Sequence, residues 1–296
     1  MKDDTRPLMV TIQCLTYNQE AYIRDCLEGF VMQKANFRFE AIVHDDASTD
    51  GTADIIREYA EKYPDIIKPI FEAVNQYSKH DGSLQRIMDE HTHGKYIAYC
   101  EGDDYWIDSL KLQRQVDFME SNPEYGLVRT NVNRLYQDTK KIEKDLFSNK
   151  EWCKNKDTYE DYILRHWFAA PCTWLWRTDQ RRDENLNDMD DCFTGDLALI
   201  LAISKQKKIK YMPDTTAVYR VLSTSSSHFD NPLQGMYFWL RLKNTRVYFA
   251  KECKSSLRIQ LVFVLIKEYA YRMKHNKKQC YYLISSFIND IKVLLL

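Results

Sequence analysis

The sequence predicts an α/β fold, a mainly parallel sheet with helices on both faces. Three observations carry that prediction. Short apolar, β-rich runs alternate with amphipathic helical stretches from Leu8 to Ser121, the pattern of strand–helix–strand units. The first, second and fourth of those runs end in polar clusters, the place where open parallel sheets bind ligands. The chain has only 8 glycines, and Gly51, Gly102 and Gly195 each stand beside acids, so scarce permissive backbone is kept where tight turns are needed.

Leu8 to Leu15 reads as a buried strand that breaks at Thr16-Tyr17-Asn18. Asn18 is a candidate cap for a helix whose apolar face is Ile23, Leu27, Phe30 and Val31. A second strand, Phe39 to His44, runs into Asp45-Asp46-Ala47-Ser48-Thr49-Asp50-Gly51-Thr52. Thr52 opens a helix carrying Ile55, Ile56 and Tyr59, ended near Pro64. Ile66 to Phe71 is a third strand, Leu84 to Glu90 a short helix, and Tyr96 to Cys100 a fourth strand closing at Glu101-Gly102-Asp103-Asp104. A helix from Asp108 to about Ser121 follows, with Leu112, Val116 and Met119 on one face. Beyond it come strand-like runs at Tyr125–Val132, Thr173–Trp176 and Lys210–Tyr219, then amphipathic helical stretches around Leu257–Met273 and Tyr281–Leu296.

Composition removes several function classes. Lys+Arg 42 against Asp+Glu 43 leaves a net charge of −1, which argues against binding nucleic acid by wholesale phosphate neutralisation. No apolar run reaches the ~18 residues of a membrane span, and Met1 to Arg6 has no signal-like apolar core. The 8 cysteines are scattered without a C-x-x-C pair, which reads as reduced thiols in a cytoplasmic protein and gives no zinc site.

The acidic clusters carry the chemistry. Glu101-Gly102-Asp103-Asp104 puts three carboxylates at the end of an apolar strand. Like charges that close raise one another's pKa unless a cation sits among them, and hard cations such as Mg²⁺ or Mn²⁺ take carboxylates together with substrate phosphates. A solvated acidic turn is the competing explanation. In the Asp45–Thr52 cluster, Asp and Ser suit a βα turn with Gly51 at positive φ. Asp46 at the strand's carboxyl end could equally accept from the N–H edge of a base.

Thr16-Tyr17-Asn18, Asp45 to Thr52, and Glu101-Gly102-Asp103-Asp104 resemble, in order and spacing, the successive motifs of the family 2 glycosyltransferases over about the first 110 residues. The resemblance implies the GT-A fold, a Rossmann-related mixed, mainly parallel sheet flanked by helices. It also implies a nucleotide-sugar donor, usually UDP-linked, and a divalent metal, Mn or Mg. By it, Thr16 and Tyr17 line the donor site, Tyr17 packs near the uracil and Asp46 hydrogen-bonds it. Glu101 takes the first D-x-D position, a carboxylate where Asp is usual. Asp103 and Asp104 meet the ribose, metal and diphosphate. Phe193 to Leu199 resembles the segment that holds the acidic general base, which makes Asp196 the catalytic candidate; a helix cap is the plainer role, and Asp190 and Asp191 are its rivals. Tyr219-Arg220-Val221 and the Ser-rich stretch to His228 resemble the post-catalytic loop, with Arg220 or His228 on the leaving diphosphate and His228 also a candidate ligand of the metal. Lys79 and Arg86 are further phosphate candidates.

These readings divide the chain into a transferase domain over 1–230, with a nucleotide-sugar-binding half to about 106 and an acceptor half over 107–230, and a helical extension over 231–296. The implied reaction is sugar transfer to an acceptor hydroxyl with inversion, on a glycan or lipid-linked acceptor of a bacterial surface polysaccharide pathway. A nucleotidyltransferase is the first alternative, though Thr16-Tyr17-Asn18-Gln19-Glu20 lacks a glycine-rich basic phosphate loop; a non-catalytic sugar-nucleotide-binding scaffold is the second. Trp106, Trp167, Trp174 and Trp176 are candidate sugar platforms, with core packing as the commoner role. His91 and His93 read as structural. The C-terminal helices are expected to dock on the main domain or on a second subunit, with peripheral contact to the inner face of a membrane as the alternative.

Overall fold

A computed structural model describes residues 6–149, 157–165, 170–181, 195–222 and 231–295. The first half alternates strand and helix as the sequence pattern requires: β1 (Leu8–Thr16), α1 (Ile23–Val31), β2 (Arg38–Asp45), α2 (Thr52–Lys62), β3 (Ile67–Phe71), α3 (Ser83–Glu90) and β4 (Tyr96–Tyr99). Then come β5 (Tyr105–Trp106), α4 (Lys111–Ser121), β6 (Tyr125–Tyr136), β7 (Lys141–Glu143), α5 (Leu146–Asn149), α6 (Tyr159–Leu164), β8 (Leu175–Arg177), α7 (Gly195–Gln206) and β9 (Lys208–Val221). Three helices close the described chain: α8 (Pro232–Ala250), α9 (Ser255–His275) and α10 (Cys280–Leu295).

The sheet order is β3-β2-β1-β4-β8-β6-β9-β5, with β7 paired to β6. Its first four strands are parallel, and β6 and β9 are parallel. Antiparallel pairs enter with β8, β5 and β7. The chain leaves β1 toward β2 on one side and returns to β4 on the other. Such a reversal of strand order opens a crevice at the carboxyl ends, where α/β sheets bind ligands.

Two apolar cores flank the sheet. One packs Ile23, Leu27 and Phe30 of α1, Ile56 of α2, and Leu112, Val116 and Met119 of α4 against Val10, Ile12, Ala41 and Val43. The other joins Ile97, Leu127 and Trp176 of the sheet to α7 and to Trp239, Leu240, Leu261, Leu265 and Leu283. The C-terminal helices are therefore docked. The sequence pattern shows α9 and α10 but not α8, because α8 buries polar groups: Lys243 pairs with Asp290 at 3.0 Å and Arg246 with Glu268 at 2.9 Å. Those ion pairs tie α8 to the other two helices. Among the described residues no helix is long and apolar enough to cross a membrane, and the described cysteines are free thiols.

Two local expectations are corrected. Asn18 does not cap α1, which begins after Tyr22 with no side-chain cap. It sits at φ 51° and its Oδ1 accepts the Thr49 N–H at 2.8 Å, stapling the β1 loop to the β2 loop. The positive φ of the second loop belongs to Ala47, at 64°, whereas Gly51 has φ −73°.

Candidate active site

The end of β1 organises the site. Beyond the last ladder pair, Thr16 with Asp45, the Thr16 carbonyl accepts the Asp46 N–H at 3.0 Å. One residue earlier, the Leu15 carbonyl accepts the Gly102 N–H, also at 3.0 Å. Both acidic loops are thereby fastened to one strand. Gly102 is required by the closeness of that fit: a Cβ there would lie 2.3 Å from Gln19 Oε1 and 2.9 Å from Thr16 Oγ1. Those two oxygens are buried and have no protein partner, so the floor of the crevice offers two unspent acceptors, one of them a hydroxyl that can also donate. Tyr17 stands beside them, 48% exposed and free to lie against a flat ligand.

The Asp doublet divides its work. Asp46 is buried, and its two oxygens accept the backbone N–H groups of Gln76 at 2.6 Å and Tyr77 at 3.0 Å, which pins the segment after β3. Asp45, also buried, accepts the Ser48 N–H with Oδ2 at 3.3 Å and leaves Oδ1 without a partner. The sequence reading chose Asp46 of the pair; the oxygen left open belongs to its neighbour.

The second loop concentrates negative charge. Burial among the cleft walls, then the charges of Asp103 and Asp196, pushes the Glu101 carboxyl up to about 8, against a hydrogen bond from the Tyr99 hydroxyl at 3.2 Å. Asp103 is raised as well, by burial, with the Arg220 charge opposing. Asp196, in the first turn of α7, is pushed up to about 6 by desolvation. Glu101 and Asp196 are nonetheless exposed residues, so it is crowding by protein at longer range that desolvates them. Glu101 thus lies within the fields of both Asp103 and Asp196.

Several of the expected site residues are engaged elsewhere. Asp104 is buried and its Oδ1 accepts the Arg220 N–H at 2.8 Å, so it serves as an interior strut rather than facing the cleft. Arg220 is engaged within the protein: its guanidinium donates to the Asp103 carbonyl at 2.7 Å, to Gln137 at 3.2 Å and to Asp25 at 2.8 Å. It lies between the rings of Tyr22 and Tyr105, each centroid 4.9 Å away. Trp106, Trp174 and Trp176 are core residues and offer no platform. Lys79 bonds Gln76 and Arg86 bonds the Asp81 carbonyl, both on the exposed segment after β3. His228, Trp167, Asp190 and Asp191 lie outside the described residues.

Among the described residues no group of three or more His, Cys, Asp and Glu side chains converges as a closed cage. The donor set that is present nonetheless suits a hard divalent cation. Glu101 and Asp103 supply carboxylate oxygen on one loop, and burial together with the charges of Asp103 and Asp196 favours the protonated form of Glu101. Mg²⁺ and Mn²⁺ are bound by one or two carboxylates with waters and substrate phosphates completing the shell.

Comparison with known proteins agrees with this geometry. The family model described as glycosyl transferase family 2 matches residues 12–180. The uncharacterized protein Rv1520 of Mycobacterium tuberculosis is 34% identical over 212 residues, which cover 71% of this chain and 58% of that protein. This chain thus spans less than two thirds of that relative's length. The Escherichia coli protein WfaP, named as a UDP-Glc:α-D-GlcNAc-diphosphoundecaprenol β-1,3-glucosyltransferase, is 32% identical over 113 residues, 38% of this chain and 42% of its own. The crystal structure of Staphylococcus aureus TarS 1-349 in complex with UDP-GlcNAc superposes with a TM-score of 0.69, covering 97% of this chain and 83% of that one at 16% identity. The fold is that of the GT-A glycosyltransferases, and the match over residues 12–180 shows that the chain belongs to glycosyl transferase family 2.

Proposed function

We propose that this protein is an inverting glycosyltransferase that moves a sugar from a UDP-sugar to an acceptor hydroxyl in the synthesis of a bacterial surface glycan. The observation that carries the reading is the nearness of Glu101, on the loop after β4, both to Asp103 on the same loop and to Asp196 on α7, close enough for Glu101 to feel both charges. Family membership supports sugar transfer, and the UDP donors named for TarS and WfaP support the donor class.

In this reading Tyr17 lies against the uracil, and the open Oδ1 of Asp45 joins Asp46 in meeting its N–H edge. Thr16 and Gln19 offer the buried oxygens beside Gly102 to the ribose. Glu101 and Asp103 would hold a divalent cation, Mn²⁺ or Mg²⁺, which when bound neutralises charge on the departing diphosphate. Asp196 takes the proton of the acceptor hydroxyl as that oxygen forms its bond to the anomeric carbon. The bond from that carbon to the diphosphate oxygen breaks, and its electron pair leaves with UDP. One displacement with no covalent sugar–enzyme intermediate inverts the anomeric centre. A carboxyl near 6 is mostly ionised at neutral pH yet more basic than an ordinary aspartate, which suits it to that transfer.

The test is thermal stability against nucleotides and nucleotide sugars with Mn²⁺, Mg²⁺ or EDTA. A ligand that binds only the native state raises the melting temperature by mass action. A rise with UDP or one UDP-sugar that vanishes in EDTA is expected. A response to a nucleoside triphosphate, with pyrophosphate released, would replace sugar transfer by nucleotidyl transfer. Asp103→Asn should then lower turnover about 100-fold or more.

A further inference from the structure

We propose that the outer face of the α9–α10 hairpin lies on an anionic lipid bilayer and holds the enzyme at the membrane surface. The inference rests on the hairpin alone and does not depend on the donor or the reaction.

Each helix has two apolar faces, and only one is used. On α9, Leu257, Leu261, Leu265 and Tyr269 are buried in the core. On the opposite side Ile259, Phe263 and Ile266 are 45%, 63% and 44% exposed, with exposed Ala270 continuing the row. Spacings of four, three and four residues keep these side chains on one stripe. On α10, Leu283 and Leu294 are buried, while Tyr281, Ile284, Ile288 and Leu295 are 88%, 48%, 50% and 49% exposed. A soluble helix packed on one side shows mostly polar residues on the other; these two carry an apolar stripe there, beside exposed polar residues such as Gln260, Lys267, Ser285 and Asn289.

The two stripes share a side. α9 meets α8 through Glu268, which pairs with Arg246, and meets α10 through Tyr269, against Phe287, and Met273, whose carbonyl faces Cys280. Going round α9 from α8 past α10, the next side chains are Ile266, Ile259, Ala270 and Phe263. On α10, Ser286 and Asp290 face Lys243 of α8, and Phe287 faces α9. The next side chains round from α9 are Ile284, Leu295, Ile288 and Tyr281. Both stripes therefore flank the hairpin seam on the face turned away from α8.

Charge identifies the occupant. Residues 255–295 carry Arg258, Lys267, Arg272, Lys274, Lys277, Lys278 and Lys292 against two acids, Glu268 and Asp290. Both acids are consumed by α8, through Arg246 and Lys243. Five lysines remain exposed: Lys267, Lys274, Lys277, Lys278 and Lys292. Lys274 follows Ala270 by four residues and Lys292 follows Ile288 by four, so each apolar stripe runs into a cation. An apolar stripe edged by lysines, with an exposed tyrosine at its border, matches a bilayer whose headgroups are anionic. A second copy of this face would set lysines against lysines.

The full chain should be centrifuged with vesicles of phosphatidylcholine alone and of an equimolar mixture with phosphatidylglycerol. Co-sedimentation with the mixture, none with phosphatidylcholine, and release as salt rises are expected. Phe263→Asp with Ile288→Asp should lower partition tenfold or more, and so should Lys267→Glu with Lys274→Glu, since each lysine at an anionic surface is worth about a factor of five. All four positions are exposed, and an unchanged melting temperature checks that the variants fold. Wild-type protein left in the supernatant with the anionic vesicles overturns the proposal, and this test needs no folded variant. So does an apolar-face variant that sediments like wild type, or a solution dimer that Phe263→Asp with Ile288→Asp turns into a monomer.

Discussion

Replacing Arg220 separates a positioning role from a donor-binding one. Arg220→Met keeps an unbranched apolar stem between Tyr22 and Tyr105 and removes the guanidinium. The Asp103 carbonyl, which accepts from Nε at 2.7 Å, then loses its donor in a site where Arg220 is only 5% exposed. An orphaned buried acceptor costs about 1–3 kcal/mol. The bond to Gln137 is long, at 3.2 Å, and Asp25, 57% exposed, is recovered by water, so its pair is worth under ~1 kcal/mol. Two aromatic faces at 4.9 Å add about 1 kcal/mol more. Destabilisation of about 3 kcal/mol overall lowers the melting temperature by on the order of 6–10 °C in a domain of this size. Because the same group holds the backbone of Asp103, kcat should fall at least about tenfold, as misplacement of a site by a fraction of an ångström costs that much. Thermal and urea unfolding read the first effect, and UDP release at saturating donor the second. A variant that melts like wild type, keeps kcat and raises only the donor KM would refute the reasoning and return Arg220 to the diphosphate.

Four further outcomes follow from the geometry. Asp196→Asn should lower kcat by about 100- to 10,000-fold while leaving UDP binding by thermal shift unchanged; normal turnover would remove Asp196 as the base. For the wild type, kcat/KM should fall as pH drops below about 6, where Asp196 takes up its proton; a profile flat to pH 5 contradicts that role. Glu101 has its folded-state pKa raised from 4.5 to about 8, so the stability it lends is present below its ordinary value and is lost as pH rises through 8. Melting temperature without divalent cation should therefore decline between pH 4.5 and 8, and Glu101→Gln should flatten that decline; equal slopes in the two proteins would refute it. Asp46→Ala should destabilise by about 3 kcal/mol in urea unfolding, because the Gln76 and Tyr77 N–H groups lose their acceptor; a loss of uridine binding without loss of stability would instead mark it as a ligand contact alone.

Much was legible in one dimension because it depends on local periodicity. Strand alternation and apolar helix faces placed β1 to β4, α1, α2 and α4 to within a few residues, and the acidic loops identified their own strand ends. What failed was whatever depends on a partner far along the chain. Arg220 reads as a phosphate ligand until Asp25, Asp103 and Gln137, from three separate segments, use its donors. Asp104 reads as a metal ligand beside Asp103, yet neighbouring residues after a strand point in different directions, and only β9 running past the loop decides which one turns inward. The same holds for Asp45 and Asp46, where the segment after β3 settles which carboxylate is spent.

The C-terminal helices show the boundary from the other side. Their apolar content, without a cap-to-cap polar face on α9, is written in the residues themselves. Which half of that content is core could not be, since α8, the helix that covers it, hides behind buried Lys243 and Arg246 and carries no clean apolar stripe. By itself the sequence determined the order of strands and helices from β1 to α4, the loops that carry charge and the family to which they point, because those are properties of neighbours along the chain. The tertiary structure alone decided which acids face the cleft, what Arg220 holds, and which side of the last hairpin is left bare, because burial and pairing are properties of neighbours in space.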